Sequence, residues 1–310
     1  MTAIDPFAAL DAAANARRFA PRPDPALRWP GGAGLAVTFV LNIEEGAEFN
    51  VAAGDPHNEA VHEVTHRIDG ARDFCMETHF EYGARAGYRR IVQRFVDAGW
   101  PLTLNVCGRA LDCTPWVGDD VRRLGFEPCA HGWRWESPAH MSEAEERDAI
   151  ARTVDAIRRH CGRAPAGWHC KSSRSGATRR LLREAGFLYD SDDYGDDLPF
   201  LLALGDGAPH VVLPYAFDTN DMRFFDHGGF VRAADFAGYV GDALDTLLHE
   251  SRRAPRLLTI GLHTRIIGRP ARIGGLDAVL ERLARAGADV WIATREAVAR
   301  HWLAGVQTRS

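Results

Sequence analysis

The stretch VTFVLNIEEGAEFN, Val37 to Asn50, sets the reading of the whole chain. Val37–Leu41 is apolar or β-branched throughout, with Thr38 among them, the pattern of a strand buried on both faces. It runs straight into Asn42, then the adjacent carboxylates Glu44 and Glu45, then Gly46. Burying carboxylate charge is unfavourable unless it is paired, ligated or put to chemical use. This strand therefore ends either in solvent or at a site.

Outward from that strand the chain alternates. EYGARAGYRRIVQRFVDAGW has a helical apolar period and stops at Gly99; PLTLNVCG is the next strand, PCAHGW another. SEAEERDAIARTVDAIRRHCG is a helix with a capping box at Ser142 and Glu145 and a stop at Gly162. PAGWHC, FLYDSDDY, HVVLPYAF, RLLTIGLHT and DVWIAT follow as strands, with helical patterns between most of them. Such alternation implies a parallel sheet of βα units. About seven units in this length fit a (β/α) barrel better than the alternative, a doubly wound open sheet. The expectation is an α/β protein with an N-terminal arm over residues 1–33 and one barrel domain over 34–310.

Net charge is −5, which argues against a nucleic-acid partner held by general electrostatics. There is no apolar run of about 18 residues, and the alanine-rich start lacks a basic region before an apolar core. The expectation is a cytoplasmic protein acting on a small molecule, with no membrane partner. Six cysteines without a C-x-x-C pair read as reduced, mostly buried thiols.

In a βα barrel, chemistry gathers where strands end. The ends here carry Asn42, Glu44 and Glu45; His131; His169, Cys170 and Lys171; Asp190, Asp192 and Asp193; Asp218, Asn220 and Asp221; and His263. DVWIAT ends with no more than Thr294 and Arg295. Any one of these reads as an N-cap or a satisfied surface group; their joint concentration at C-terminal ends reads as one mouth. Carboxylates and histidines together support hydrolysis by water, with a carboxylate as general base and a histidine as general acid. Adjacency of Glu44 and Glu45 raises the proton affinity of at least one. A Cys170–His169 nucleophile pair is disfavoured, since neighbours on a strand face opposite ways. Glu45 and His131 could supply two ligands to a metal, one short of a catalytic zinc site. Arg265 could hold a carbonyl-rich or anionic ring.

Taken in order, FVLNIEEGAE, HFEYGARAGYRRI, AHGWRW, YDSDDYGDDLPF, LPYAFDTNDMRF, LHTRIIGRPARI and ARHW resemble the polysaccharide deacetylase superfamily, most closely its allantoinase-like, purine-degradation branch. The resemblance runs from about Leu35 to Trp302 and implies a deformed (β/α)7-type barrel. It implies Glu44 as base, Glu45 and His131 on any metal, Lys171 or Arg174 near the base, and His263 as acid. It matches Asp190, Ser191, Asp193 and Tyr194 to a D-S-x-D motif, which puts Asp193 in the catalytic set. The family's second metal histidine is Trp135 here. The resemblance therefore implies either no required cofactor or a weakly held divalent metal such as Zn²⁺. It also implies a homo-oligomer, dimer or tetramer.

The leading expectation is hydrolysis of a C–N bond in a cyclic amide, imide or ureide, with Asn42, Trp135, Lys171, Asp218, Asn220 and Arg265 around the substrate. The alternatives are a metal-dependent N-deacetylase of a sugar or amine, and a non-catalytic ligand-binding barrel.

Overall fold

The computed structural model describes residues 20, 22, 24–64, 66–203 and 209–307. The rest, including most of the arm expected over 1–33, lies outside the described residues. β1 (Leu35–Ile43) is buried along its whole length, and three strands pair with it in parallel. β8 (Arg256–His263) runs along one edge from Leu35 to Asn42. The other edge is shared: β9 (Val290–Ala293) takes Leu35–Thr38 and β2 (Thr103–Val106) takes Val40–Ile43. This split is what deforms the barrel. From β2 the sheet continues through β3 (Glu127–Ala130), β4 (Gly167–Trp168) and β5 (Tyr189–Asp190). It ends at β7 (Pro209–Val212) and β6 (Phe200–Ala203), and β6 alone of these strands is antiparallel to its neighbour.

The expected (β/α) barrel is present as this curled, parallel-dominated sheet. Sequence reading leaves β6 unassigned because FLLA is too short to show a period. The chain beyond β7 swings back to β8, where Asn220 bridges Gly261 and the Gly261 N–H donates to Thr219 O at 3.0 Å. The sheet thus curls toward closure at the ends where the polar residues gather.

Register explains that gathering. Asn42 lies opposite both Asn105 and His263. With a side-chain period of two, Asn42 and Glu44 share a face, as do Gly261 and His263. The helix Phe74–Tyr82 passes through a π-turn at Gly83–Gly87 into the helix Tyr88–Ala98. The π-turn sits tight on the sheet mouth: a Cβ on Gly87 would lie 1.9 Å from the Thr264 carbonyl oxygen.

Arg295 starts the last helix and is fully buried. Its guanidinium donates to Thr259 Oγ1 at 2.8 Å, Ser191 Oγ at 2.8 Å and the Pro214 carbonyl at 2.9 Å. It also reaches Thr38 Oγ1 and the Leu213 carbonyl. One side chain thereby ties β1, β8 and the segments after β5 and β7. Arg295→Met should destabilise the fold by roughly 3 kcal/mol, because the two carbonyls lose buried donors that no hydroxyl can replace. Urea unfolding followed by circular dichroism measures it; an unchanged midpoint would show that the interior does not depend on this hub.

Candidate active site

Glu44, the first acidic residue beyond β1, is buried against three cationic or proton-bearing groups. Its Oε2 accepts from Arg265 Nη1 at 2.5 Å. Its Oε1 lies 3.5 Å from His131 Nε2 and 3.6 Å from His263 Nε2. Burial alone would push the Glu44 carboxyl up, but Arg265 and the two imidazoles outweigh it and hold Glu44 far below the usual carboxylate range. Arg265 is itself shared, its Nε donating to Glu63 Oε1 at 3.0 Å. Burial would push the Glu63 carboxyl up, but His79 and Arg265 outweigh it and leave Glu63 lowered to about 2.

His263 is held by Asp221. The imidazole Nδ1 is 2.6 Å from Asp221 Oδ1, while Asp221 Oδ2 accepts the backbone N–H of His263 at 2.7 Å and of Ile267 at 3.0 Å. Nδ1–H is thereby fixed, and Nε2 faces Glu44. Burial lowers the His263 pKa, yet the fields of Asp221 and Glu44 prevail and raise it above its ordinary value. His131 points Nδ1 at the carbonyl oxygen of His169, which can only accept, so Nδ1 carries a proton and Nε2 faces the cavity. His169 stacks on His131 and donates through Nδ1 to Asp192 Oδ1 at 3.1 Å. Burial keeps its pKa low despite that partner.

These groups line a cavity of about 320 Å³ whose remaining wall is largely apolar. The irregular segment after β1 forms one side through Ala60–Glu63. Arg134 pins that segment with paired bonds to Asp55 at 2.5 and 2.6 Å. Lys171 lies 3.7 Å over the Trp135 ring and bonds Glu59 at 3.0 Å. Asn42, Trp135, Lys171, Asn220 and Arg265 all border the cavity.

Three expected residues lie elsewhere. Glu45 turns out of the cavity: its Oε1 takes the Thr264 hydroxyl and presses on Gly83, whose added Cβ would come within 2.2 Å. Asp193 is engaged by Arg179 at 3.2 Å and by the Gly195 N–H at 3.0 Å. Asp218 is exposed. Asp193 and Asp218 border a larger open groove that contains none of Glu44, His131 and His263. The alternation that sends Glu44 inward sends Glu45 away, while Asp192 and Asp221 stand behind the cavity histidines, Asp192 on His169 and Asp221 on His263. Cys170 is buried, and burial pushes its thiol far up, which leaves no nucleophile there. His169, Glu63 and Tyr215 complete the cavity, with Asp221 behind His263, and none of the four was given a role from sequence; His169 and Asp221 stood at strand ends, whereas Glu63 lies in a segment with no period to read.

The donor set does not fit a zinc ion. Glu45 faces away from the cavity and is held by Thr264, and one oxygen of Glu44 is already neutralised by a buried guanidinium. Among the described residues no three His, Cys, Asp or Glu side chains are arranged to hold a metal.

Comparison with known proteins agrees with this fold. The polysaccharide deacetylase family model matches residues 70–189. A Schizosaccharomyces pombe protein named as a polysaccharide deacetylase is 32% identical over 297 residues, 89% of this chain and 92% of that one. The chain belongs to the polysaccharide deacetylase family of hydrolases. Among solved structures, PuuE allantoinase is 42% identical with a TM-score of 0.85, covering 92% of this chain and 94% of that one. A polysaccharide-deacetylase-type protein from Pseudomonas aeruginosa is 41% identical with a TM-score of 0.84, covering 91% and 94%.

Burial, only partly offset by Arg265 and Thr264, raises Glu45 from 4.5 to about 7. The folded state therefore holds this proton more tightly than the unfolded chain, and the Glu45 contribution to stability is lost as pH rises from about 4.5 through 7. Glu45→Gln should remove that slope, on the order of 3 kcal/mol across the window. Urea midpoints at pH 5 and pH 8 test this; identical pH dependence in wild type and variant would contradict it.

Proposed function

We propose that this hydrolase opens a small cyclic amide, imide or ureide, of which allantoin is one example. The observation that carries the reading is Glu44 Oε1 set between two imidazole Nε2 atoms, 3.5 and 3.6 Å away, in a cavity of about 320 Å³. That volume suits a single small ring. The solved allantoinase at 42% identity supports the same choice of substrate class.

The chemistry follows from which group holds which proton. A water at Glu44 Oε1 bonds through its oxygen to a ring carbonyl carbon and gives a proton to that carboxylate. Arg265 keeps Glu44 ionised beforehand and leaves Oε1 as the accepting atom, since Oε2 is occupied. The C–N bond then breaks with its electron pair on nitrogen, which takes the Nε2 proton of His263. Asp221 stabilises His263 in the protonated form that this step needs. Trp135, with Lys171 over its ring, borders the space the substrate ring would fill.

A turnover screen of hydantoins, allantoin, succinimide, dihydropyrimidines and acetylated sugars tests the reading, with ring opening expected and deacetylation not. Glu44→Gln and His263→Ala should each lower kcat by about 10²–10⁴-fold. kcat/KM should fall as pH rises through the raised pKa of His263. Full ring hydrolysis by either variant, or turnover confined to acetylated sugars, would contradict the assignment.

A further inference from the structure

Tyr215 is buried in the cavity wall, and its hydroxyl is used in an unusual way. Asn42 Nδ2 approaches it at 3.3 Å and Asn220 Nδ2 at 3.4 Å. Both amides are fixed in orientation. Asn42 Nδ2 also donates to the Leu262 carbonyl at 3.1 Å, which can only accept, and its Oδ1 accepts from Asn105 at 3.0 Å. Asn220 Oδ1 accepts the Met222 N–H at 3.0 Å. Both contacts on Tyr215 are therefore N–H donors, and they occupy the two lone pairs of the phenol oxygen. No described residue accepts the phenol's own proton. Gly261 permits this seat, since a Cβ there would lie 2.6 Å from the hydroxyl.

A buried donor without an acceptor is costly, and one at a cavity is a place for a ligand acceptor. The stronger donors nearby are already engaged, Arg265 by Glu44 and Glu63, Lys171 by Glu59. Burial also pushes the Tyr215 phenol well up, so the proton stays on it at neutral pH.

We infer that Tyr215 donates a hydrogen bond to the oxygen of the ring carbonyl under attack and holds the negative charge that gathers there. The inference rests on the ring-opening reading above. As water bonds to the carbon, the carbonyl π pair moves to oxygen, and the phenol shortens its hydrogen bond without giving up its proton. The two asparagines make this donor one-directional, because a phenol already accepting two N–H bonds has no other use for its proton here.

Tyr215→Phe keeps the ring that packs on His169 and removes the donor alone. With a ring that the wild type opens, kcat should fall about 100-fold while KM changes by less than about threefold. 3-Fluorotyrosine placed at position 215 gives a second readout that keeps the hydroxyl. Its ¹⁹F resonance should move with succinimide and stay put with pyrrolidine, which has the ring but no carbonyl. A kcat within about threefold of wild type, a loss confined to KM, or equal ¹⁹F responses to both rings would overturn the inference while the ring-opening reading stands. Failure of the wild type to open any ring would overturn both.

Discussion

The buried contact between Glu44 and Arg265 is the constraint around which the mouth of this barrel is organised. A carboxylate at the end of a fully buried strand needs a countercharge, and a single lysine or histidine at the rim would leave it half-desolvated. Arg265 meets that need through one oxygen and is itself anchored by Glu63 from the segment after β1. Such a pair is weak evidence of net stability, since desolvating three charges offsets much of their attraction. What it provides is asymmetry: Oε2 is saturated, and Oε1 is left facing two imidazoles.

The same logic of divided roles runs through the other ionisable groups. Two glutamates adjacent in sequence end up with opposite proton affinities, Glu44 held low by its partners and Glu45 raised to about 7 by burial. Two histidines near the cavity also diverge, His263 raised beside Asp221 and Glu44, His169 lowered by burial. In the cavity itself the division that matters is Glu44 kept ionised and His263 kept protonated, each by its own partners. Arg295 and the Asn220–Gly261 bridge hold the strands on which these groups stand.

Much of this was legible in the sequence, for definite reasons. The apolar run of β1 and the alternation of strands and helices required a parallel sheet, and polar residues clustered at strand ends required a common mouth. Glu44, His131 and His263 are brought together by that geometry. The choice between neighbours was not legible: Glu44 or Glu45, Asp192 or Asp193, Asp218 or Asp221 depends on where each strand stops alternating and turns. Glu63 and Arg134 were beyond reach because the segment from Gly46 to Asp73 has no hydrophobic period, and its partners lie far along the chain. Arg295 stood in the sequence at the end of the last strand, and only the packed interior shows it spanning several strands.

The central claim is that the site sets its proton donor and its neutral imidazole apart by environment. Long-range ¹H–¹⁵N spectra of the histidine rings, recorded as pH is stepped from 5 to 9, measure this directly. His263 should titrate above the ordinary histidine value with its Nδ1 proton retained throughout, and His169 should titrate below it. A His263 that loses its charge at lower pH than His169 would contradict the account.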